Sequence, residues 1–266
     1  MRYFWLLFLF VSTLFGIEAI NGKPVLLPIE QNTTSVKARN HFAPIFKTQN
    51  GEHFALIAIP YRQDEPLEVT LKGPQIDLKT SLHVTKGEYP KELLQVDPSK
   101  ISPPESEKKR ISDEYKEAMG IYATFTPKRY WDKPFAHPIQ STITSAYGNA
   151  RTFNGTLKSY HSGTDFRAPI GTPIYAANDG VIVLAKDRYY AGGSVIIDHG
   201  EGIYSVYYHL SSMLLPVGTQ VKRSDEIALS GDSGRVTGPH LHFGIMLQGT
   251  PVDPLHFIQI IEDIIN

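Results

Sequence analysis

Gly238-Pro239-His240-Leu241-His242-Phe243-Gly244-Ile245 sets two histidines two residues apart in an apolar run framed by glycines. In a strand successive side chains alternate between faces, so His240 and His242 project from one side while Leu241 and Phe243 enter the other. Two imidazoles on one face can share a metal ion, or divide metal binding from proton transfer. Outward from this run, Ile174 to Ala185, Ser194 to His199, Ile203 to Leu210 and Glu226 to Leu229 also read as strands, separated by glycine-containing turns. No long amphipathic helix interrupts them before Pro254 to Ile265, so the expectation is an antiparallel β region in a mainly β chain.

Seven of the ten histidines lie after residue 130, a concentration that asks for a chemical reason. Tyr160-His161-Ser162-Gly163-Thr164-Asp165-Phe166 supplies another imidazole with a carboxylate four residues on. That spacing would stack the pair on a helix, but Gly163, Thr164 and the following Ala168-Pro169 favour a loop passing into a strand. Convergence in space is therefore expected. Two neutral imidazoles and one carboxylate, with a fourth position left to water, make the ligand set of a catalytic zinc site.

Composition narrows the alternatives. The chain has 266 residues, enough for one large or two modest domains. Its formal net charge is −1, with lysines and arginines scattered, so it lacks the basic stripe that nucleic acid requires. It has no cysteine, which excludes disulfides, thiolate zinc sites and a cysteine nucleophile, and leaves nitrogen and oxygen as metal ligands. Met1-Arg2 precedes an apolar run from Tyr3 to Ile17, broken only by Ser12, Thr13 and Gly16. This reads as a signal peptide with Gly16 or Ala19 as cut site, an uncleaved membrane anchor being the alternative; either exports the rest, to the periplasm.

The remaining chain divides by texture. Residues 1–19 form the signal segment, and 20–96 carry short alternating strands at roughly ten-residue spacing, a pattern for a small β-sandwich-like domain. Residues 97–129 form a helical connector that starts after Pro103-Pro104 and stops near Gly120, its charges solvated, packed between two domains. Residues 130–266 are the catalytic region. His199 and His256 fall outside any chemical pattern and read as structural or solvated.

The stretch from Ile139 to Pro254 resembles the lysostaphin-type (LytM) zinc endopeptidases. The resemblance rests on His161-Ser-Gly-Thr-Asp165, Ala177-Asn-Asp-Gly-Val181, Gly193-Ser-Val-Ile-Ile-Asp-His-Gly200, Tyr207-Tyr-His-Leu-Ser211, Ser230-Gly-Asp-Ser-Gly234 and Gly238-Pro-His-Leu-His-Phe243. It implies that His161, Asp165 and His242 bind zinc, and that His209 and His240 work on water and the tetrahedral intermediate. Which of the latter two takes the proton stays open, since each imidazole has an unperturbed pKa near working pH. The implied substrate is the peptide stems of peptidoglycan, cut at glycine bridges or, as the amino-terminal region favours, at D-alanyl bonds to diaminopimelate during wall remodelling, by endopeptidase and also carboxypeptidase action. Two other readings exist: a non-catalytic wall-binding or activator protein on the same fold, and a cupin-like metalloenzyme. Intact ligand positions disfavour the first and motif order the second. The separate amino-terminal β pattern suggests a domain that restricts access to the metal groove.

Overall fold

The computed structural model describes residues 17–265; the apolar run that begins at Tyr3 lies, apart from Ile17, outside them. Residues 19–85 make two antiparallel sheets. One orders the strands Val25–Ile29, His53–Ile57 and Ile45–Lys47; the other orders His41–Phe42, Ser35–Ala38, Leu67–Gly73 and Ile76–Leu82. Their alternating residues fill a common core, in which Leu67, Val69 and Leu71 meet Leu27, Val36, Ala55 and Ile57 while Glu68 faces out. Ala19 is fully buried in this core, and Ala19–Ile20 pairs in parallel with Val84–Thr85.

Strand β1 (Lys91–Leu94) leaves this region, and helix α1 (Glu105–Ala123) follows. Then come β2 (Ile143–Ser145), β3 (Ala150–Phe153), β4 (Leu157–Tyr160), β5 (Thr164–Arg167), β6 (Pro173–Tyr175), β7 (Gly180–Arg188) and β8 (Gly192–Gly200). The chain continues with β9 (Ile203–Met213), β10 (Gln220–Val221), β11 (Glu226–Ser230), β12 (His240–Leu247), β13 (Thr250–Val252) and helix α2 (Pro254–Ile265). The large sheet runs β2–β5–β12–β9–β8–β7–β10, and each of these pairings is antiparallel. A separate three-stranded sheet, β1–β3–β4, stands beside it, with β1 parallel to β3.

The predicted strand from Ile174 to Ala185 is two strands, β6 and β7. Between them the Ala177 N–H donates to the Tyr207 hydroxyl and the Asn178 side chain to the Lys133 carbonyl, so the chain turns away from the ladder there. Helix α1 also departs from expectation, because it runs through Gly120 to Ala123. Its last turn is held by tertiary packing: Tyr122 is buried, with its hydroxyl 3.0 Å from that of Tyr208. Helix α1 lies along the large sheet. Ala118 and Tyr122 pack on Leu184, Ile196, Tyr204 and Val206, one face of the large sheet. Some of its charges are engaged with that sheet as well, since Arg110 reaches Asp187 at 2.8 Å and Glu114 accepts from the Tyr189 N–H.

The opposite face of the sheet packs Phe166, Tyr207, Leu241 and Phe243 against Trp131, Phe135 and the apolar side of α2. Phe46, Leu56 and Ala58 of the amino-terminal region belong to this same cluster, so the two regions share apolar packing. The hairpin between β12 and β13 adds a polar link. Its central residues Gln248 and Gly249 have φ of 54° and 70°, the left-handed pair of a type I′ turn. A glutamine is an unusual occupant there, and its side chain explains it: Oε1 accepts from the Ala58 N–H and Nε2 donates to the Leu56 carbonyl, each at 3.1 Å.

Candidate metal centre

The site is assembled by strand register. Ser145 lies opposite Asp165, Asp165 opposite His242, and His242 opposite Tyr208, one row across β2, β5, β12 and β9. Side chains at paired positions share a face, so four residues distant in sequence point to one side. His161 enters from the turn after β4, where its backbone is fixed by bonds to Gly148 and Asn149. As the strand pattern predicts, Leu241 and Phe243 are fully buried on the other face.

The result is a triangle: His161 Nε2 lies 2.8 Å from Asp165 Oδ1 and 3.0 Å from His242 Nδ1, which is 2.9 Å from the same carboxylate oxygen. All three residues are buried, with 6% exposure or less. His161 Nδ1 donates to the Ala146 carbonyl at 2.8 Å, which leaves Nε2 with a lone pair facing the other two atoms. Lone pairs brought this close repel unless a cation or a proton lies among them. Tetrahedral zinc with bonds of about 2.0–2.1 Å wants ligand atoms about 3.3 Å apart, so a small relaxation of the triangle would accept it. The donor set fits zinc: two imidazole nitrogens and one carboxylate oxygen, with no fourth protein ligand in the group among the described residues. Gly163 makes this approach possible, because a Cβ there would fall 2.6 Å from His242 Nε2 and against the Phe243 carbonyl.

His209 and His240 lie beside the triangle. Their ring centroids are 4.8 Å apart, and His240 Nε2 comes within 3.7 Å of Asp165 Oδ1. Each donates Nδ1–H to a backbone carbonyl at 2.8 Å, His209 to Ser233 and His240 to Gly238, so each keeps Nε2 free for chemistry. His209 sits at a bulge where the register of β8 with β9 shifts, and its φ is 65°. A left-handed non-glycine residue costs roughly 1 kcal/mol or more, and here it turns the ring toward the site.

The electrostatics are sharply biased. Burial, together with the charges of His240 and His242, pushes His209 down to about 3, and burial pushes His242 down to about 4. Desolvation thus keeps the His209 ring neutral at physiological pH. Burial alone would raise Asp165, but its close contacts with the His161 and His242 rings outweigh burial and hold the carboxyl well below its ordinary value.

Sequence reasoning missed the residues around this centre. Arg151 Nη2 donates to Asp165 Oδ2 at 2.8 Å, and Arg151 and Arg235 line the adjoining cleft of about 200 Å³ with Tyr160, Tyr190 and Tyr208. The Tyr208 ring lies parallel to His242, with centroids 5.4 Å apart. No spacing rule links Arg151 to the motifs, and only the demand of a buried carboxylate for a second donor could have prompted a search. His199 is far from any such role: it is fully buried, with Nδ1 donating to the Asp179 carbonyl and Nε2 2.7 Å from Ser205 Oγ. His256 is half-buried on α2.

Residues 159–254 match the family model described as Peptidase family M23. The chain carries a peptidase family M23 domain. Over 95 residues the chain is 48% identical to the peptidoglycan DD-endopeptidase ShyA of Vibrio cholerae, and over 95 residues it is 40% identical to the DD-carboxypeptidase/endopeptidase Mpg of Neisseria meningitidis. Each match covers 36% of this chain and 22% of the relative, so the chain aligns with about a fifth of either protein. A Pseudomonas aeruginosa crystal structure assigned to peptidase M23 extends the likeness beyond the M23 domain: it is 25% identical with a TM-score of 0.73, covering 94% of this chain and 98% of that one.

Proposed function

We propose that the chain is a zinc metallopeptidase that hydrolyses peptide cross-links of peptidoglycan outside the cytoplasm, at D-alanyl bonds to diaminopimelate. The observation that carries this reading is the buried triangle of His161, Asp165 and His242 with two further histidines at its edge. The names of ShyA and Mpg, which specify peptidoglycan DD-endopeptidase and DD-carboxypeptidase/endopeptidase, support the substrate. So does the charge of the cleft, where Arg235 stands in the wall and suits the free carboxylates of wall peptides.

In this reading His161, Asp165 and His242 hold the metal. Zinc so held supplies Lewis acidity toward water and toward the scissile carbonyl oxygen. His209 and His240 flank the reacting atoms, their rings oriented by the Nδ1–H bonds to Ser233 and Gly238, so that each Nε2 can exchange a proton or stabilise developing charge. His209 starts the cycle neutral. The large sheet fixes these rings on rigid strands, which holds the reacting groups in place.

Export by the segment from Tyr3 to Ile17 belongs to the same proposal, with the periplasm as destination. Of the two small residues that could precede the cut, Gly16 suits it better, because Ala19 is a fully buried residue paired with Val84. Mass spectrometry of purified wall digested with the protein tests the reading. Soluble peptides with newly freed D-alanyl ends should appear, and should vanish when a chelator is added. A digest that releases nothing, or proceeds equally with chelator, would reject it.

A further inference from the structure

The M23 domain's metal site draws on a carboxylate 67 residues ahead of the matched segment, as the numbers 92 and 159 show. Strand β1 pairs with β3 in a register that sets Glu92 opposite Arg151. Glu92 Oε2 accepts from Arg151 Nε at 2.9 Å, while Arg151 Nη2 extends to Asp165 Oδ2 at 2.8 Å. The second oxygen, Glu92 Oε1, accepts from Ser145 Oγ at 2.7 Å and from Asn149 Nδ2 at 2.6 Å. Ser145 Oγ in turn lies 3.1 Å from His161 Nδ1. One carboxylate thus reaches two corners of the triangle, Asp165 through Arg151 and His161 through Ser145.

We infer that Glu92 is a positioning residue of the metal centre, acting chiefly by fixing the Arg151 guanidinium on Asp165. The inference rests on the reading of His161, Asp165 and His242 as metal ligands. A guanidinium is planar with its donors in a rigid fork, so a carboxylate on one edge determines where the other edge points. With Oδ2 of Asp165 occupied by Arg151, Oδ1 alone turns toward the two imidazoles. The arrangement therefore selects a single-oxygen ligand and prevents the carboxylate from swinging. Glu92 also offsets the positive charge of Arg151 beside a site meant for a cation. Outer partners of metal ligands typically govern about 10–100-fold in metal affinity. The strand that brings Glu92 belongs to the region ahead of α1, so that region completes the site rather than merely covering it.

Zinc affinity of the full chain, measured by competition with a chelating dye, tests this without reference to turnover. Glu92→Ala and the isosteric Glu92→Gln should each bind zinc about 10–100-fold more weakly, with Glu92→Asp recovering part of the loss. In an Arg151→Ala background the further effect of Glu92→Ala should shrink to a few-fold, because its main route to Asp165 is gone. Thermal melting of the metal-free proteins keeps folding separate from binding. Glu92→Gln with wild-type zinc affinity would overturn the inference, as would a Glu92→Ala loss undiminished without Arg151. If instead His161→Ala bound zinc as wild type does, the ligand reading itself would fail, a distinguishable result.

Discussion

At the scale of single residues, the five histidine and aspartate positions differ in what their side chains face. His161, Asp165 and His242 point at one another from 2.8 to 3.0 Å, whereas His209 and His240 are tethered by backbone carbonyls and approach from the side. Removal should therefore have two outcomes. His161→Ala, Asp165→Ala and His242→Ala should lose zinc and activity together. His209→Ala and His240→Ala should retain close to one zinc per chain while turnover drops on the order of a hundredfold or more. Elemental analysis beside peptide hydrolysis, with circular dichroism as a check on folding, separates the groups. An empty site in His209→Ala, or zinc kept by His161→Ala, would overturn the assignment.

At the scale of elements, α1 carries a glycine that its surroundings do not require. Gly120 lies inside the helix, exposed, and a Cβ there would meet nothing within 4 Å. The helix continues past it because Tyr122 is anchored on the sheet, so the glycine contributes only backbone entropy to the unfolded chain. Gly120→Ala should raise stability by about 0.5–1 kcal/mol, read as a shift in denaturant midpoint with an unchanged slope. A destabilised variant would mean that α1 needs a bend there. The hairpin Leu247 to Thr250 shows the opposite economy: Gln248 accepts an awkward φ of 54° because its amide closes two buried backbone bonds to Leu56 and Ala58.

At the scale of the whole molecule, shared apolar packing makes stability depend on groups far from the cleft, and His199 is the clearest case. It is fully buried, packs edge-on against Phe135, and burial pushes its pKa from 6.5 down to about 4. Between those two values the unfolded chain binds a proton that the folded chain refuses. The stabilisation from keeping His199 neutral is thus complete above pH 6.5 and is lost as pH falls toward 4, about 3 kcal/mol in all. Denaturation of metal-free protein across this window should show the loss. His199→Asn should be less stable at pH 7 but should have a flatter profile, by up to about 1.4 kcal/mol per pH unit. Parallel profiles for the two proteins would contradict this.

The sequence by itself determined the local events. Alternation in His240-Leu-His-Phe243 put two imidazoles on one face and two apolar residues in the core; glycines and prolines separated the strands; and the motif residues were legible as a nitrogen and oxygen ligand set in a chain without cysteine. Tertiary structure alone decided which strands are neighbours. Asp165 faces His242 across 77 residues, and Glu92 faces Arg151 across 59, because of ladder register, which depends on how every strand buries its apolar face at once. The same holds for the extension of α1 beyond Gly120 and for the low pKa of His209. Each arises from burial against residues remote in the chain, and desolvation is a property of the packed interior that no local spacing encodes.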